Sequence, residues 1–180
     1  LFTAAFASWR AAHELIAEVP ARKPALDGIV KLSIKTSADA RTADTLGAER
    51  DGTGVVISAD GLILTIGYLI IESASILVLA PDGRVFPAVA IGFDHVTGFG
   101  LVRAAGGVAS SPVALGDSGA LQEFEQVYPV THAAAGGLST AYVVSRRQFT
   151  GYWEYMIDGA IFTAPPRFDH SGAALLDREH

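Results

Sequence analysis

"GTGVVISADGLILTIGYLI", residues 52–70, decides how the rest of the chain is read. Two apolar, β-branched runs, 52–58 and 62–71, flank Asp60-Gly61. Alternating apolar residues on both sides of Asp-Gly form the strongest short-range hairpin signal, because the glycine accepts the positive φ that a tight turn needs. The pattern recurs at "APDG", 80–83, between "SILVLA" (75–80) and "VFPAVAIGF" (85–93). With "GIVKLSIKT" (28–36) before them and "FGLVRA" (99–104) after, these runs predict antiparallel β architecture.

"AAGGVASSP", 104–112, reads as a linker between two halves. Beyond it "PVAL" (112–115), "EQVYPVT" (125–131), "LSTAYVVS" (138–145), "AIFTA" (160–164) and "GAALLD" (172–177) predict further strands. So many short strands with little helix between them point to barrels or a sandwich. The stretch 146–166 carries no clear period, and its aromatics Phe149, Tyr152, Trp153 and Tyr155 suit either a core or a groove. At the other end Phe2, Phe6, Trp9, His13 and Ile16 recur at helical spacing, so 3–18 is expected to form an amphipathic helix, stopped by Pro20 and Pro24.

The 180 residues are half apolar, enough for one substantial core or two small ones. A net charge of −6, with no basic cluster larger than a pair such as Arg146–Arg147, argues against nucleic acid as a partner. Cysteine is absent, which excludes disulfides, thiolate metal sites and a cysteine nucleophile. Leu1 stands where a methionine would begin a newly made chain, so an export signal or anchor is expected upstream.

Three separated blocks then carry a resemblance: the opening stretch, "ILVLAPDGRVFPAVAIGFDHVTGFGLVRA" (76–104) and "HSGAALLD" (170–177). In order and spacing they resemble trypsin-like serine proteases of the HtrA/DegP type, which read approximately G-S-G-hydrophobic-hydrophobic, D-G, L-T-N-N-H-V-V, D-G-R-x-F-x-A, D-x-x-x-D-hydrophobic-A and G-N-S-G-G-x-L. The resemblance covers about 28–177 and implies an all-β fold of two antiparallel β-barrels with a site in the crevice between them. It divides the chain into an N-terminal helix and linker (1–24) and a trypsin-like domain (25–180), with a first barrel at about 28–103 and a second at about 110–180. Relatives add strands after the serine motif that wall the specificity pocket. Here either those strands are missing or the second barrel closes differently.

Carried over residue by residue, the resemblance puts Ser171 at the nucleophile position, Tyr68 where the family has its histidine base, and Gly98 where it has its aspartate. A serine hydroxyl needs an imidazole to take its proton and a carboxylate to hold that imidazole. A phenol, with a pKa near 10, does not serve, and glycine has no side chain. Losing the base from such a unit costs on the order of 10⁶ in turnover. The backbone N–H groups of Asp169 and Ser171 would form the oxyanion hole, although the family has glycine at the first position. Aspartate adopts left-handed geometry more readily than most residues, so the turn is expected to persist. Its carboxylate, however, would oppose negative charge developing there.

The resemblance therefore implies a catalytically inactive homologue, a pseudoprotease that binds a peptide or protein in the inter-barrel crevice, with no cofactor. Two alternatives stay open. One is an active endopeptidase with a recruited base, for which His95 is a better candidate than His170. The other is a metal-binding form using His95 and His170 with Asp94 or Asp169. By the same resemblance the protein is expected to be exported, periplasmic or membrane-tethered, and homo-oligomers are common among the relatives.

Overall fold

A computed structural model describes residues 26–37, 39–108, 111–132, 137–151 and 156–178. The helix expected over 3–18 lies outside the described residues, as do Tyr152, Trp153 and Tyr155. Six strands build the first half: β1 (Ile29–Thr36), β2 (Glu49–Val56), β3 (Leu62–Ile66), β4 (Ser73–Leu79), β5 (Val85–Phe93) and β6 (Phe99–Ala104). All neighbours run antiparallel and the sheet closes on itself in the order β1-β2-β3-β6-β5-β4.

Alternation explains the closure. Along β1, Val30, Leu32 and Ile34 are fully buried while Lys31, Ser33 and Lys35, which alternate with them, reach solvent. Val56, Ile63, Ile76, Val78 and Val102 face the same interior from the other strands. Each such side chain contributes about 1.5–3 kcal/mol by leaving water. Both Asp-Gly stretches turn as expected, with Ile57 donating to Leu62 across one and Ala80 to Arg84 across the other, each at 2.9 Å.

The predicted run 62–71 is not one strand. It ends at Ile66, and a single helical turn, α2 (Gly67–Ile70), replaces its second half, following a first short helix α1 (Ala43–Leu46). Arg50, 5% exposed, causes the break: its Nη1 donates to the carbonyls of Tyr68 and Ile71, both at 2.9 Å, which holds the chain off the ladder. Its Nε and Nη2 reach the Gly47 carbonyl and Thr42 Oγ1, so the buried guanidinium is bonded on every nitrogen.

In the second half, β7 (Gln126–Val130), β8 (Ala141–Thr150), β9 (Met156–Ala164) and β10 (Ala174–Leu176) form a four-stranded antiparallel sheet, order β10-β7-β8-β9. Where the resemblance implies a second barrel, the described residues thus make a sheet. The ambiguous stretch 146–166 is largely the β8–β9 hairpin, with Phe149 edge-on to Phe162 at 6.0 Å. "PVAL" is not a strand. Pro112 has no N–H to give a ladder, and the segment is fixed instead by Val113, which is buried and donates to the Val56 carbonyl at 2.8 Å. Ile29 and Val55 of the barrel meet Val113, Val130 and Leu176 in the apolar seam that joins the halves.

Candidate active site

The loop after β9 crosses the seam and turns back at His170–Ala173. The Ala173 N–H closes on the His170 carbonyl at 2.9 Å, and Gly172 in the third position has φ +73°, the mark of a type II turn. The left-handed residue is therefore Gly172, and the expectation of such geometry at Asp169 is corrected, since the described non-glycine residues at positive φ are Glu72 and Phe124. A Cβ on Gly172 would strike the Thr53 carbonyl oxygen and lie 2.6 Å from Thr65 Oγ1. The turn is seated directly on β2, where the Thr53 N–H also donates to the Ser171 carbonyl at 2.8 Å.

Tyr68 reaches the same place from α2. Its Oη donates to Ser171 Oγ at 2.6 Å, linking residues 103 positions apart, while its ring packs against the barrel core. Gly98 sits beside them in the β5–β6 hairpin at φ +74°, its carbonyl accepting from Gly67 N at 2.7 Å. The three positions expected to correspond to a triad are thus brought to one locality. The side chains present there are a hydroxyl and a phenol.

The two histidines weighed as recruited bases are engaged elsewhere. His170 Nδ1 lies 2.7 Å from the Arg167 carbonyl, and the ring of His95 sits against Phe93 with centroids 4.1 Å apart. Asp94 is occupied by its own turn, accepting from Val96 N, Thr97 N and Thr97 Oγ1. Among the described residues no group of three or more His, Asp or Glu side chains is placed to hold a metal ion.

Asp169 is neutralised by a bidentate ion pair: Arg167 Nε meets Oδ1 at 2.8 Å and Nη2 meets Oδ2 at 2.6 Å. With Thr131 Oγ1 donating at 3.2 Å, this holds the carboxyl down to about 2, the Arg167 bond being the largest cause. No sequence motif marks the neighbouring group. Thr53, fully buried, shares its Oγ1 with His132, accepting from His132 N at 3.1 Å and lying 3.0 Å from Nδ1. A threonine set in an apolar strand was the one available signal.

A closed antiparallel barrel joined through an apolar seam to a second antiparallel sheet, with a serine turn at that seam, defines a chymotrypsin-like architecture. The sequence profile of the trypsin-like peptidase domain matches residues 52–180, so the chain belongs to that family. Among solved structures, HtrA-type protease AlgW with a tripeptide shares the fold with a TM-score of 0.69 at 20% identity, over 86% of this chain and 48% of that one. AlgW with a decapeptide gives 0.63 at 17%, over 86% and 53%. This chain spans about half the length of those chains. Comparison with curated proteins finds no match.

Proposed function

We propose that this chain is a trypsin-like domain that does not hydrolyse peptides and instead uses the crevice at the seam to bind an extended peptide or protein segment. One observation carries the reading: Tyr68 Oη donates to Ser171 Oγ. A phenol is protonated at neutral pH, so it supplies a proton where the nucleophile needs one removed. With glycine at position 98, no carboxylate is available there to raise the basicity of any group that replaced the phenol.

Binding is supported by two further points. The AlgW structures that share this fold hold a tripeptide and a decapeptide. Phe168, on the same loop as Ser171, is 99% exposed, and covering it with a partner would return about 1.5–3 kcal/mol. An exported location belongs to the same proposal, supported by the HtrA-type resemblance alone and tested by cell fractionation.

The experiment pairs a fluorophosphonate probe with an unfolded protein substrate. The expected result is no adduct and no cleavage above a buffer control, with a bound peptide lost on Phe168→Ser. Labelling at Ser171, or cleavage that vanishes in Ser171→Ala, overturns the reading.

A further inference from the structure

Residues 131 and 132 grip the serine turn from both sides. Thr131 Oγ1 donates to Asp169, and His132 engages Thr53, whose backbone N–H holds the Ser171 carbonyl. The tautomer of His132 follows from bond counting. Thr53 Oγ1 already accepts from His132 N, and among the described residues its own proton has one acceptor in hydrogen-bond range, Nδ1 of the same histidine. Thr53 has no exposed surface, so water offers no substitute. The hydroxyl therefore donates to an unprotonated Nδ1, and the ring carries its proton on Nε2.

We infer that His132 is a protonation-sensitive latch on the Ser171 turn, acting through Thr53. Adding a proton at Nδ1 sets a donor against a donor. The Thr53 hydroxyl must then rotate, and its hydrogen is left buried without an acceptor, which costs about 1–3 kcal/mol in general. Thr53 is the point where the turn is seated: its carbonyl accepts from Thr65 Oγ1 at 2.7 Å and lies against Gly172. Displacing Thr53 or His132 therefore moves the turn rather than a free surface.

The charged groups around the ring come from three elements. Burial chiefly, then the Lys31 cation on β1, hold His132 below its ordinary value, while Asp51 on β2 and Asp169 on the serine loop pull the other way. Asp51 is itself paired with Lys31 at 2.7 Å and Asp169 with Arg167, so both carboxylates already serve a cation other than the imidazolium. A histidine whose folded value is depressed contributes stability in full above about 6.5 and loses it as pH falls through the lower folded value. The latch is closed at neutral pH and opens on acidification.

The latch concerns the turn itself and does not depend on whether the crevice binds or cleaves peptide. Its test is a titration of the labelled full chain from about pH 8 to about pH 5 by nuclear magnetic resonance, following the His132 ring nitrogens and the Ser171 and Gly172 amides. The inference expects an unprotonated Nδ1 at high pH, a ring midpoint below 6.5, and amide shifts that follow the same midpoint. In His132→Asn, whose side-chain oxygen keeps an acceptor that does not titrate, those amide shifts should vanish. In Thr53→Val the ring should still titrate while the amides stay still. A protonated Nδ1 at high pH, amides that do not move with the ring, or amide shifts surviving in His132→Asn would overturn it. The wild-type measurements decide by themselves if a variant fails to fold.

Discussion

Gly172→Ala tests whether the serine turn is truly seated on β2. Two costs combine at this position. The residue sits at φ +73°, where an L side chain costs about 1–2 kcal/mol. The new Cβ would also overlap the Thr53 carbonyl oxygen, and forcing a methyl into a filled space costs a further ~1–3 kcal/mol. Thr53 cannot yield cheaply, because it is core backbone whose carbonyl is held by Thr65 and whose N–H is held by Ser171. Gly83 provides the control: its φ is +86°, but a Cβ there meets nothing within 4 Å, so Gly83→Ala bears the dihedral cost alone. The difference between the two variants, about 1–3 kcal/mol, corresponds to a gap of about 2–12 °C in melting temperature for a domain of this size. Thermal and urea unfolding of both, in one buffer, measure it. Equal losses in the two variants would mean that the turn does not rest on Thr53, and the whole description of the site would fail with it.

Placing histidine and aspartate at the positions that the family resemblance assigns to them should not produce hydrolysis. In Tyr68→His with Gly98→Asp, the new aspartate would have to adopt the φ of +74° that Gly98 holds, so peptide turnover stays at background, and Ser171-dependent hydrolysis would refute this. Arg167→Met should weaken the protein above about pH 4 and leave it little changed at about pH 2, because a depressed Asp169 contributes stability above its unfolded value and loses it as pH falls through about 2. Urea midpoints across that window check the sign. Arg50→Met strands the carbonyls of Gly47, Tyr68 and Ile71, and a loss on the order of 3 kcal/mol or more is expected in equilibrium unfolding.

The barrel was legible because its signals are local. Alternation along 28–36 and 52–66, punctuated by Asp-Gly at 60–61 and 82–83, states both the strands and their hairpins within windows of a few residues. The failures share a different cause. Residues 67–70 look like strand continuation, but Arg50, seventeen or more residues away, binds the carbonyls that a ladder would use. Val113 pairs with the backbone of Val56 across the seam, which no pattern within "PVAL" reports. The hold of His132 on Thr53 joins residues 79 positions apart. Side-chain types near Ser171 were readable once the family blocks had been placed, whereas their partners were set by the packing of one half on the other.

Ser171 itself supplies the sharpest contrast between a serine kept for chemistry and one kept for structure. Catalytic groups are commonly held at some expense to the fold, so removing them is often neutral or stabilising. Here the hydroxyl accepts from Tyr68 Oη at 2.6 Å, and the phenol ring is packed against the barrel core, which limits how far Oη can move to find another acceptor. Ser171→Ala takes that acceptor away and should cost about 0.5–1.5 kcal/mol, the net worth of a hydrogen bond of this kind. Tyr68→Phe should cost a similar amount, and the double variant less than the sum, because each single change already breaks the shared bond. Equilibrium unfolding of the four proteins measures the coupling. Additive losses, or a gain in stability for Ser171→Ala, would mean that the bond carries no weight and that the serine is retained for something it does to a substrate.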